Sequence, residues 1–180
     1  MEQKDALPHM PSMNPVGFLD RWRFCPRCGG ALDPEESHVR CTVCGERYWA
    51  NALPAVQGLF VRDGRVLLAR RGIEPRRGHW DLPGGFVEET ETPEAAVRRE
   101  LAEETGLEVE TARLERIDIE PYGERHVFSV TYTVTARGEP VAADDVAELR
   151  WFGPEELPAE MAFPGQERVL REWARAGSLG

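Results

Sequence analysis

The chain has 180 residues, 41% of them apolar and 30% charged, with a net charge of −10. That length and apolar share suit one medium domain with a small appendage and exclude a wholly disordered chain. The acidic balance removes any general electrostatic pull toward nucleic acid or an anionic membrane, and no apolar run approaches the roughly 20 residues that span a bilayer.

The opening segment MEQKDALPHMPSMNP is polar and proline-rich and has no signal-peptide core. Residues 1–20 therefore read as a flexible tail, and a soluble, cytoplasmic chain is expected. All four cysteines follow, as Cys25, Cys28, Cys41 and Cys44, in the spacing C-x2-C-x12-C-x2-C. Gly29 and Gly45 come just after each pair, so each pair sits on a tight turn. Two such knuckles present four thiolates to one zinc ion. Two disulfides are the alternative, disfavoured in a reducing compartment. Four thiolates close the coordination sphere, so the zinc is structural and holds together a ribbon over residues 21–49. Residues 21–48 carry five arginines against four acids. That is no basic patch, so nucleic-acid binding by the ribbon is not expected.

The domain over residues 50–180 opens with two apolar runs around Asp63-Gly64. An Asp-Gly pair favours a two-residue hairpin, so strands are expected over 55–62 and 65–71. IEPRRGHWDLPGG reads as a loop. In TPEAAVRRELAEETG, Thr92 is placed to cap a helix, Pro93 takes its first position and Gly106 ends it. ARLERIDIE, HVFSVTYTVTA and VAELRWF read as strands from alternation and β-branched content. GQERVLREWARAG closes the chain as an amphipathic helix. The fold class is α/β, a mixed sheet with helices on both faces.

Residues 84–110 hold nine glutamates and two arginines, a net charge of −7. On the expected helix, Glu100, Glu103 and Glu104 stand at i, i+3 and i+4 and share a face. Neighbouring carboxylates there repel by about 0.2–0.5 kcal/mol per pair, and no lysine separates them. Hard oxygen donors gathered this way suit Mg²⁺ or Mn²⁺ together with phosphate oxygens. The Gly84-Gly85 turn lets the backbone approach the same ion. The alternative, for Glu103-Glu104 taken alone, is a solvated acidic helix.

The stretch matches the pattern G-x5-E-x7-R-E-U-x-E-E-x-G-U, with U a bulky aliphatic residue. The matching positions are Gly85, Glu91, Arg99, Glu100, Leu101, Glu103, Glu104, Gly106 and Leu107. This resembles the Nudix box, and residues 50–175 are similar to the Nudix hydrolase family. The resemblance implies an α/β/α sandwich. It implies metal-dependent hydrolysis of a nucleoside diphosphate linked to another moiety, releasing a nucleoside monophosphate. It implies Glu100, Glu103 and Glu104 as ligands of Mg²⁺ or Mn²⁺, with a carbonyl at Gly84-Gly85 beside them and a supporting Glu91–Arg99 ion pair. The general base stays open between Glu103 and the late-loop residues Asp144, Asp145 and Glu148; a structural role is favoured for His126. Arg70 and Arg71 end the second hairpin strand. Both are candidates to reach phosphate; neighbours there alternate sides, so the alternative is that one of them faces solvent. Trp80, Tyr122 and Phe128 either stack on a base or pack in the core.

The ribbon ahead of the domain is similar to that of two Nudix subfamilies. One, the NADH pyrophosphatases, carries a downstream SQPWPFP that this chain lacks. The segments RRGIEPRRGHWDLPGG and LPAEMAFP, with YWANA as a looser match and Pro121 after the box, resemble ADP-ribose and FAD pyrophosphatases. The implied substrate is a small nucleotide, ADP-ribose first, with FAD or NADH behind it. The rival readings are an NAD-cap RNA decapping enzyme and a non-hydrolysing nucleotide sensor, the latter disfavoured by an intact box. A homodimer is expected by analogy with the family.

Overall fold

The computed structural model describes residues 16–177. They fall into two compact units, one within Met1–Asn51 and one within Ala52–Gly180.

In the first unit, β1 (Leu32–Pro34), β2 (Val39–Cys41) and β3 (Arg47–Tyr48) pair antiparallel, and a 3₁₀ turn over Gly17–Arg21 precedes them. So small a sheet buries little. Its core is Val16, Leu19, Leu32 and Val39 around Cys25 and Cys41. The sequence places residues 1–20 in a loose tail; Val16 and Leu19, only 3% and 1% exposed, correct this for residues 16–20. A ribbon this short cannot build a core alone and takes in its flanking chain. Residues 1–15 of that tail lie outside the described residues.

In the second unit, β4 (Leu53–Arg62) and β5 (Arg65–Arg71) form the expected hairpin. Asp63 and Gly64 both take positive φ, 49° and 70°, as a type I′ turn requires. Helix α1 spans Pro93–Thr105; Thr92 accepts from the Ala95 N–H, and Gly106 closes it in the left-handed region. Two short strands, β6 (Trp80–Asp81) and β7 (Gly84–Phe86), lie where the sequence reads as a loop; β6 pairs with β5 and β7 with β4. β8 (Glu108–Tyr122), β9 (Arg125–Arg137), β10 (Val146–Phe152) and α2 (Pro164–Gly177) complete the unit. The sheet runs β10-β5-β4-β9-β8, with β4 and β9 parallel.

Strand alternation divides the core between the two faces. Leu67 of β5 joins Val56, Phe60 and Val130 under Val97 and Leu101 of α1. Its neighbours Val66 and Leu68 join Leu59, Trp80 and Phe152 under Val169 and Leu170 of α2. One helix on each face of a mixed sheet is the α/β/α sandwich. Full burial of a leucine such as Leu101 stabilises by about 1.5–3 kcal/mol, so α1 is held by its packed face. Its glutamates are therefore free for other work. No helix among the described residues is long and apolar enough to cross a membrane.

Candidate active site

The site begins where β7 lies against β4. A Cβ at Gly84 would come within 2.2 Å of the Val56 carbonyl oxygen, so only glycine allows this approach. A Cβ at Gly85 would meet the Glu100 carboxylate at 2.5 Å; Glu100 occupies the space a side chain would need. The Gly84 N–H donates to Glu104 at 2.8 Å. Arg99 is the hub of the remaining carboxylates. It donates to Glu91 at 2.6 Å, Glu100 at 2.8 Å, Glu103 at 3.0 Å and the Phe86 carbonyl at 3.0 Å. One guanidinium thus ties α1 to the preceding loop. Its hydrogen bonds hold the Glu91 carboxyl below the usual range. Burial pushes Glu104 up to about 8, with the nearby Asp81 charge adding to it. Burial raises Glu100 too, against the opposing pull of Arg99.

A cavity of about 390 Å³ opens beside them. On one wall Arg71 pairs with Asp81 at 2.7 Å, donates to the Pro75 carbonyl at 2.8 Å and lies 5.4 Å over the Phe163 ring. Burial pushes Asp81 up to about 6, against the pull of Arg71. Across the floor, the Gln166 amide donates to Gln57 at 2.7 Å, and Gln57 donates to Thr131 at 2.8 Å. All three are buried, so this chain of hydrogen bonds fixes the floor rather than trading with water. An aromatic wall completes the cavity. Tyr122 stacks on Phe163 at 6.0 Å and meets Phe86 edge-on at 5.5 Å.

Residues 52–173 match the model of the NUDIX domain. The chain belongs to the Nudix family. It is 37% identical over 134 residues to the ADP-ribose pyrophosphatase of Methanocaldococcus jannaschii, covering 72% of this chain and 77% of that protein. It is 28% identical over 143 residues to the NAD-capped RNA hydrolase NudC of Salmonella heidelberg, covering 78% of this chain. That match spans 55% of the length of NudC. Among solved structures, a MutT NUDIX hydrolase from Burkholderia pseudomallei shares 31% identity at a TM-score of 0.63, covering 67% of this chain and 96% of that one. A NUDIX hydrolase from Nitrosomonas europaea shares 25% identity at a TM-score of 0.70, covering 88% and 93%. The chain is a Nudix hydrolase, an enzyme acting on phosphoanhydride bonds.

The structure brings many of the sequence-derived candidates of this Nudix hydrolase to one cavity. Gly84, Arg99, Glu100, Glu103 and Glu104 line it, as do Arg71, Tyr122, Asp144 and Asp145. Glu91 sits behind Arg99. The others lie elsewhere. Trp80, open between base stacking and the core, lies in the core; β6 turns it inward, edge-on to Phe152 at 4.9 Å. Of the two strand-end arginines, Arg70 is the one that does not line the cavity. It donates to the Gly78 carbonyl and pairs with Glu148 at 3.5 Å. Glu148 is held between Arg70 and Arg150, the latter at 2.6 Å, and does not line the cavity. Neither His126 nor Phe128 lines it. Sequence reasoning missed Asp81, Phe163, Gln57, Gln166 and Glu120 as cavity residues. Asp81 and Phe163 stand inside the quoted segments RRGIEPRRGHWDLPGG and LPAEMAFP, a signal that pointed to them. The other three carry no local signal.

The four cysteines of the other unit form no disulfide. Their sulfurs all lie within 4.8 Å of one another, with Cys25–Cys44 at 3.8 Å and Cys28–Cys41 at 3.5 Å. Four thiolates 2.3 Å from a zinc ion stand about 3.8 Å apart, so this donor set fits zinc. The Cys44 N–H points at the Cys41 sulfur at 3.5 Å. The Tyr48 hydroxyl, 3.2 Å from Cys25, is the main cause that brings that thiol down to about 6. Among the described residues this is the one group of three or more donors already drawn together for an ion.

Proposed function

We propose that this Nudix hydrolase cleaves the diphosphate of a nucleoside diphosphate joined to another moiety, ADP-ribose first, and releases a nucleoside monophosphate. The observation that carries this reading is the composition of one cavity. It holds the acids of α1, the fixed guanidinium of Arg71 and the ring wall of Phe86, Tyr122 and Phe163. These suit a cation, a diphosphate and a planar base in turn. Similarity to the ADP-ribose pyrophosphatase supports the choice of substrate.

In this reading Glu100, Glu103, Glu104 and the Gly84 carbonyl hold Mg²⁺ or Mn²⁺. The cation, when bound, screens the diphosphate charge and acts as a Lewis acid. Glu91 and Arg99 fix the helix against its loop so that the carboxylates keep their places. Arg71 binds the diphosphate, with Asp81 holding its guanidinium in plane. Glu103, Asp144 or Asp145 takes the proton of the attacking water. In the ribbon, Cys25, Cys28, Cys41 and Cys44 hold a structural zinc ion.

The similarity to NudC favours a second reading, hydrolysis of NADH or of an NAD cap on RNA. One screen separates the readings. ADP-ribose, FAD, NADH and NAD-capped RNA are incubated with Mg²⁺ or Mn²⁺ and the products resolved by chromatography. AMP released fastest from ADP-ribose is the expected outcome. Turnover confined to NADH or capped RNA establishes the second reading. Binding without turnover on any of them leaves a nucleotide sensor.

A further inference from the structure

Glu120 is a buried carboxylate that the proposed chemistry leaves without a task. It stands on β8, 5% exposed, and lines the cavity. Its seat is built for it. A Cβ at Gly165 would fall 1.5 Å from its Oε1, so the first turn of α2 gives up a side chain to admit the carboxylate. Arg168 Nη2 lies 3.7 Å from Oε1. The start of α2 is itself pinned, because Gln166 bonds both Gln57 and the Leu82 N–H. A carboxylate offers about four acceptor positions, and the ion pair with Arg168 engages only part of them. Residues two apart on a strand share a face. Glu120 therefore stands beside Tyr122 and its aromatic wall. Glu120 and the three rings line one cavity.

We propose that Glu120 is a specificity residue, accepting a hydrogen bond from the exocyclic amine of a nucleobase lying against Tyr122, so that the cavity selects a 6-aminopurine over a 6-oxopurine. The proposal rests on the diphosphatase reading above. An amine meets the carboxylate as a donor, whereas a ring carbonyl sets oxygen against oxygen. A site built to bond an N–H rejects the analogue that lacks it.

The test compares kcat/KM for ADP-ribose and inosine diphosphate ribose in the wild-type protein and in Glu120→Gln. The wild type is expected to prefer the adenine substrate roughly ten- to hundredfold, the scale of a hydrogen bond to a charged group. In Glu120→Gln the preference shrinks to within about twofold or inverts, since the new amide donates to a carbonyl. An unchanged preference overturns the proposal. That includes an equal loss on both substrates, the mark of a residue that only caps α2 or reads a ribose. Calorimetric binding of AMP and IMP to the wild type needs neither a variant nor turnover. AMP tighter by about tenfold is expected, and equal affinities overturn the proposal. Failure of the wild type to hydrolyse either diphosphate sinks the diphosphatase reading, while the AMP and IMP comparison still decides Glu120.

Discussion

The chain carries two sets of candidate metal donors, and they differ in readiness. The four cysteine sulfurs stand within 4.8 Å of one another and two of the cysteines belong to the core of their unit. The three box glutamates share a cavity, but each is engaged by protein, Glu100 and Glu103 by Arg99 and Glu104 by the Gly84 N–H. A donor set that is part of a core makes ion binding part of folding. A donor set that lines a cavity, on a helix held by Val97 and Leu101, leaves folding to the apolar face. Its carboxylates can then exchange partners during turnover. On the function proposed above, the contrast is between an ion that would build a fold and one that would serve a reaction.

The sharpest way to break this contrast is to remove one donor from each set. Cys28 is exposed, so Cys28→Ser removes no core volume. It is expected to abolish zinc binding and unfold the ribbon, because apparent zinc affinities of about 10–16 kcal/mol are folding energy in such units. Metal analysis and the near-ultraviolet dichroism of Trp22 and Trp49 read the loss. A variant that keeps its order without zinc refutes the folding role. Glu103 is half exposed at 51% of its side chain. Glu103→Gln is expected to lower turnover by about 10²-fold or more with an unchanged melting temperature. Near-normal turnover removes Glu103 from the site, and a fall in melting temperature erases the difference between the two donor sets. Glu91→Gln acts one step back. With the charge of its main partner gone, Arg99 fixes the loop less firmly, and half-saturating Mg²⁺ is expected to rise about 10- to 100-fold. A titration of activity against Mg²⁺ checks this.

The parts legible from the chain are those set by near neighbours. The caps of α1 follow from Thr92, Pro93 and Gly106, and the first hairpin from Asp63-Gly64. The shared face of Glu100, Glu103 and Glu104 follows from helical spacing. The cavity floor was not legible, because its bonds join residues far apart; Gln57 meets Gln166 across 109 positions and Thr131 across 74. Nothing local distinguishes those glutamines from solvated ones. β6 and β7 escaped because two or three residues carry no period, and both sit among turn formers. The full length of β8 was hidden because register shifts near Val109 and Leu114 break its alternation.

Arg70 and Arg71 show where local reasoning stops. Strand alternation requires them to face opposite ways, yet it does not say which faces the site. The structure decides through their partners. Arg71 is 15% exposed in its side chain and pairs with the equally sheltered Asp81; Arg70 is 48% exposed and pairs with Glu148. An exposed pair of that kind is worth about 0–1 kcal/mol. Arg70→Ala is therefore expected to leave KM for ADP-ribose within about twofold of wild type. Arg71→Ala is expected to raise it about tenfold or more, the scale of a charged hydrogen bond to phosphate. Arg71→Lys restores only part of the loss, since an ammonium lacks the planar fork that holds Asp81 and a diphosphate together. Equal effects of the two alanine variants would mean that the Arg71–Asp81 pair is structural. The diphosphate would then depend on the cation alone for its positive charge.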